Sequence, residues 1–109
     1  MVMSNKKQII EAEAYEKFMK FYEMMKEQFP DSKRTVWLYK DNKRHGFNFH
    51  TKEGHVLCYV SFSTKENSDY YFSVQYPGMN GTERVDKNSS LVCIVHKIIR
   101  IDIKRQLGN

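Results

Sequence analysis

From residue 6 to residue 28 the apolar positions Ile10, Ala14, Phe18, Phe21 and Met25 recur at steps of three and four. That spacing gathers them on one stripe of an α-helix, with Tyr15 and Tyr22 on its flank. Ser4 or Asn5 can cap the start, Glu11, Glu13 and Glu16 suit the N-terminal half, and Pro30 ends the helix because the residue before a proline is pushed out of the α region. The rhythm then changes to period two. Residues 35–40, 47–50, 55–64 and 70–76 are rich in β-branched and aromatic side chains, and turn-forming residues separate them. They read as four strands of an antiparallel meander, which Pro77 and Gly78 bring to a stop.

The connection at residues 51–54 can be tested by register, because cross-strand partners share a face and a slip of one residue exchanges the faces. A three-residue loop pairing Thr51 with His55 would put Phe47 and Phe49 on the face opposite Val56, Cys58, Val60 and Phe62. A four-residue loop with Gly54 left-handed pairs His50 with His55, Phe49 with Val56 and Phe47 with Cys58, and keeps the apolar residues together. The four-residue loop is therefore the expected one. Pairing Phe62 with Phe72 and Val60 with Val74 continues the same face. Residues 79–87 read as a loop in which residues 82–85 could form a short edge strand.

In residues 90–107, Leu91, Ile94, Val95, Ile98 and Ile101 fall on one helical face, and Asn88 or Ser89 is the expected cap. Ile99, Ile101 and Ile103 also alternate with Arg100, Asp102 and Lys104 as a strand would, but the helical pattern spans more residues. The expected fold is α+β: a two-layer sandwich in which a four-stranded antiparallel meander carries an N-terminal and a C-terminal helix on one face, in the order αββββα. One domain is expected over residues 1–109.

Composition adds limits rather than a function. Hydrophobic residues make up 40% of the chain and charged residues 28%, which is ordinary globular usage. No apolar run approaches the length of a membrane span, the first residues lack the apolar core of a signal peptide, and a cytoplasmic protein is expected. Cys58 and Cys93 lie in apolar runs with no metal or redox spacing, so both are expected as buried free thiols. The formal net charge of +5 is uneven: residues 1–30 are neutral, residues 31–55 and 91–109 each carry +3, and residues 56–90 carry −1. A modest basic excess suits nucleic acid or an acidic protein surface without requiring either.

If the helices cover the face bearing Val36, Leu38, Phe47, Phe49, Val56, Cys58, Val60, Phe62, Phe72 and Val74, parity assigns the other face. It would carry Trp37, Tyr39, Asn48, His50, His55, Leu57, Tyr59, Ser61, Tyr71, Ser73 and Gln75, bordered by Arg34, Lys40, Lys43 and Arg44. Trp, Tyr and Arg are common hot-spot residues of protein interfaces, and aromatic platforms beside cations also suit single-stranded nucleic acid. A second basic strip, His96, Lys97, Arg100 and Lys104, lies on the polar side of the last helix.

Catalytic and metal chemistry find less support. His50 and His55 would form half of a metal site with no third ligand nearby, and parity separates buried Cys58 from both histidines. A small nuclease using His45 and His50 with basic neighbours is a distant alternative. No cofactor and no metal is expected. The order of elements is similar to that of double-stranded RNA-binding domains, but this chain has an additional strand, and residues 88–92 lack their Lys-Lys-x-Ala-Lys start. Tyr76-Pro77 after a strand is similar to ubiquitin-conjugating domains, without the proline-rich segment and cysteine context that follow there. Neither resemblance carries a residue role across. Size and basic character resemble phage or mobile-element accessory proteins that block a host protein. The first expectation is thus a small non-enzymatic binding protein with a protein partner, acting as an inhibitor or regulator. Nucleic acid is the second expectation, and a homodimer is compatible with either.

Overall fold

The computed structural model describes residues 5–39, 44–63 and 69–108, with side chains for residues 12–37, 46–63 and 69–108. A long helix α1 (Asn5–Gln28) leads into five strands, β1 (Lys33–Tyr39), β2 (Arg44–His50), β3 (Val56–Phe62), β4 (Phe72–Gln75) and β5 (Glu83–Val85), and helix α2 (Leu91–Gln106) closes the chain. The strands form one antiparallel sheet in sequential order, so every connection within it joins neighbours. The class is α+β, with five strands rather than four. The fifth, β5, forms within residues 82–85, the stretch read as a possible short edge strand, and is held by pairing Phe72 with Val85 and Val74 with Glu83.

Both helices pack on the same side of the sheet. On α1 the stripe Ala14, Phe18, Phe21 and Met25 is buried, as its spacing predicts. The side chain of Ile10 and the expected cap at Ser4 or Asn5 lie outside the described residues. Phe18 meets Phe47, Phe62 and Phe72 with ring centroids 5.1, 5.6 and 5.8 Å apart. Such tilted and edge-on pairs each add about 0.5 to 1.5 kcal/mol beyond area burial, so α1 is fixed on the sheet by aromatic packing.

On α2, Leu91, Ile94, Val95 and Ile98 are buried, and the segment is helical through Gln106. Ile103, which a strand would have placed with Ile99 and Ile101, is exposed. The cap is Ser90, whose hydroxyl accepts from the Cys93 amide at 3.3 Å, and not Asn88 or Ser89. Ser89 instead joins a turn with Asp86: its hydroxyl accepts from the Asp86 amide and donates to Asp86 Oδ1. Cys93 is exposed, contrary to expectation, because it falls beside Val92 and His96 on the polar side of the helix; Cys58 is buried.

The two helices are also tied by one side chain. Lys17 Nζ on α1 donates to the backbone carbonyls of Asp86, Lys87 and Ser89 at 2.8, 3.1 and 2.7 Å, just before α2 begins. Partial burial pulls the Lys17 ammonium below its usual range, and nearby Asp86 opposes that shift.

The hairpin between β2 and β3 does not have the expected four-residue loop, and it carries a register shift that neither alternative included. Thr51 N–H donates to His55 O (2.8 Å) and Gly54 N–H donates to Thr51 O (2.9 Å), so the loop is the three-residue one, with Gly54 at φ +91°. The core is not split, because the register slips between Phe49 and His50. His50 pairs with Val56, but Phe49 pairs with Cys58 and Phe47 with Val60. One extra residue on β3 forms a β-bulge at Leu57, which restores Phe47, Phe49, Cys58 and Val60 to a common face. The bulge also turns Leu57 into the core, where it is 3% exposed, although alternation assigns it to the other face. From there the pairs Phe62 with Phe72 and Val60 with Val74 are as expected.

Candidate binding surface on the sheet

The register assigns the face of the sheet turned away from the helices. One row across it reads Trp37, Gly46, Ser61, Ser73 and Arg84; the next reads Thr35, Asn48, Tyr59 and Gln75; Lys33 and His50 lie beyond. Thr35, Tyr59, Ser61, Gln75 and Arg84 are exposed, and Trp37, Asn48, His50 and Ser73 are half-buried. Both helices stand on the opposite side, so among the described residues no element covers this face. No Asp or Glu occupies an outward position on any of the five strands. The acidic residues whose placement is described lie instead on α1, in turns, at Glu83 on the helix side and at Asp102 on α2.

The aromatic residues of this face are placed by local packing. Trp37 pairs with Gly46, and its indole atoms Cζ2 and Cε2 lie 2.2 and 2.4 Å from where a Cβ on Gly46 would stand. The missing side chain at Gly46 thus lets an indole from β1 lean across β2. Tyr59 is 39% exposed, and its hydroxyl lies 3.4 Å from His50 Nε2, with the rings edge to face at 5.7 Å. Asn48, between Thr35 and Tyr59, has a buried Oδ1 with no hydrogen-bond partner among the described residues. An orphaned acceptor of this kind costs about 1 to 3 kcal/mol, which packing for its own sake would not favour.

Four expected members of the face are placed elsewhere. Tyr71 is on the helix side: its hydroxyl donates to Glu13 Oε2 at 3.1 Å, and burial, with Glu13 beside it, pushes the phenol above its usual range. Parity fails there because β4 begins only at Phe72 and the chain bends at Tyr71. The neighbouring Tyr70 takes the outer place, with the Arg84 guanidinium 4.9 Å from its ring centroid, a cation–π contact that sequence reasoning missed. Arg34 pairs with Phe49 and so occupies a helix-side position, where its buried Nη1 finds no partner among the described residues. Leu57 is drawn inward by the bulge, and His55 is exposed at the loop end, opposite Thr51 rather than His50. Tyr39 pairs with Arg44 at the far end of β1 and β2, and His45 pairs with Leu38; these four side chains lie outside the described ones, as do residues Lys40 and Lys43 altogether.

The strip on α2 is exposed at His96, Lys97, Arg100 and Lys104, and Lys97 is engaged by Glu83 at 3.4 Å. Glu83 also accepts from the Tyr76 hydroxyl at 2.9 Å; burial and this bond push Tyr76 up to about 12. Near the end of α2 a groove of about 340 Å³ is lined by Val56, Leu57, Pro77, Ile98 and Ile101. Asp102 at its wall is nearly buried, and both oxygens are taken by Arg105 and Gln106 at 2.7 Å. Cys58 is likewise closed to chemistry, since burial pushes its thiol up to about 12. No group of three His, Cys, Asp or Glu side chains converges on a metal position among the described residues.

These features define a sheet with one face given to the core and the other, among the described residues, uncovered, aromatic and without a carboxylate at any outward strand position. Compared with protein-family models, with curated proteins and with solved structures, the chain matches none. Among the described residues no helix is long and apolar enough to cross a membrane.

Proposed function

We propose that the protein binds single-stranded nucleic acid across the open face of the sheet, by contact rather than by catalysis. The observation that carries this reading is the charge of that face: Lys33 and Arg84 stand among Trp37, Tyr59 and Tyr70, with no carboxylate at any outward strand position. Cations draw phosphates to the surface, and each base stacked on an aromatic ring contributes about 1 to 3 kcal/mol. Arg84 already lies against the Tyr70 ring, and a base would find the same combination of π surface and positive charge. Outward strand positions without carboxylates suit a polyanion better than a typical protein partner, whose rim mixes both signs of charge. Two unpaired cysteines agree with a site of action in the reducing cytoplasm.

The deciding measurement is binding to labelled single- and double-stranded oligonucleotides across a salt series. Affinity for single strands should be higher and should fall steeply as salt rises. Trp37→Ala together with Tyr59→Ala should remove binding while leaving the circular dichroism spectrum intact. Absence of binding at low salt would reject the reading and return the face to a protein partner, the inhibitor or regulator role that size and charge suggest.

A further inference from the structure

The two edges of the sheet are built differently. β5 is three residues long, whereas β1 is seven residues long and pairs with β2 in unbroken register. An edge of that length presents a row of free backbone donors and acceptors, and proteins blunt such edges with proline, bulges, short strands or a covering element. β1 has no proline and no bulge, and its two cations, Lys33 and Arg34, are both at its first end. Val36 at its centre pairs with Phe47 and so faces the helix layer, yet it is 46% exposed.

We propose that β1 pairs antiparallel with β1 of a second copy of this chain, joining two five-stranded sheets into one of ten strands. The occupant follows from charge and pattern. The antiparallel register that overlaps all seven residues has its two-fold axis at Val36, and sets Lys33 opposite Tyr39, Arg34 opposite Leu38 and Thr35 opposite Trp37 of the second copy. No two like charges face each other, and each cation meets an aromatic or aliphatic position. Val36, itself 46% exposed, meets Val36 on the helix side of the sheet. Full overlap supplies about six to eight backbone hydrogen bonds to groups that otherwise face water. The two open faces would then be continuous, with Trp37 of each copy next to the junction.

The test is made without nucleic acid, so its outcome is separate from that of the binding reading. Light scattering on the purified chain should give twice the chain mass, and Val36→Lys, which sets two ammonium groups against each other on the axis, should return it to the single-chain mass. In a Cys93→Ser background, Val36→Cys should form an intermolecular disulfide rapidly, because antiparallel partners lie within disulfide reach. Arg34→Cys in the same background should not, since its counterpart is Leu38. A single-chain mass at every concentration, a dimer that Val36→Lys leaves intact, or equal cross-linking at both cysteines would each overturn the proposal.

Discussion

The two faces of the sheet share five strands and the same backbone hydrogen bonds, yet their side chains answer to different demands. On the helix side Phe47, Phe49, Val60, Phe72 and Val74 are wholly buried, and Phe18, Phe21 and Met25 close over them. Each is held by many neighbours, and none is available to a ligand. On the open side the residues are Trp, Tyr, Asn, Gln, Ser, Thr, His, Lys and Arg, which the fold does not need for its core. An orphaned Asn48 acceptor and a half-exposed Tyr59 are tolerated there. Stability is concentrated on one side, so the other is free to vary with function, and a substitution should report which side it touches.

The largest expected effect tests that division directly. Phe47→Ala should lower unfolding free energy by about 3 to 5 kcal/mol in a urea titration, while Tyr59→Ala should stay within about 0.5 kcal/mol. Equal losses would erase the distinction between the faces. Gly46→Ala comes next, because its Cβ would collide with the Trp37 indole and the Val60 carbonyl. A loss of about 1 to 3 kcal/mol is expected, with a shift in emission from the single tryptophan; an unchanged spectrum would mean that the indole does not rest on Gly46.

Lys17→Met keeps the aliphatic stem and removes three donors, and should cost about 1 to 2 kcal/mol without altering binding by the open face. A neutral result would show that water replaces the ammonium freely. The smallest effect concerns pH. The Tyr76 phenol holds its proton up to about 12 in the folded state against 10.0 for an ordinary tyrosine, so its contribution is complete below pH 10 and is lost as pH rises toward 12. Tyr76→Phe should flatten that part of the decline in urea midpoint, and a decline identical to that of the parent protein would exclude Tyr76 as its source.

Much of the fold is legible in the pattern of the chain. The helical stripes of α1 and α2 repeat over several turns, and the pairing of β3 with β4 follows from matching Phe62 to Phe72 and Val60 to Val74. The β2–β3 hairpin is harder, because loop length alone does not fix face parity. A bulge at Leu57 separates them, and a bulge has no residue signature of its own. The same limit explains Tyr70 and Tyr71, since parity holds only inside a strand and residue 71 lies one position before β4. Trp37 and Tyr59 lie in regular strand and stand where alternation puts them; Arg34 lies on the helix side because its cross-strand partner is Phe49.

The Lys17 clasp also bears on how the molecule opens. It joins residue 17 to residues 86–89, so the first helix and the start of the last one are linked across most of the chain. Helix ends ordinarily fray alone, with little free energy, but here release of the α2 start requires the ammonium to leave all three carbonyls. Amide protons around residues 90–95 should therefore exchange together with those of the middle of α1, as one cooperative unit that neither helix can leave by itself.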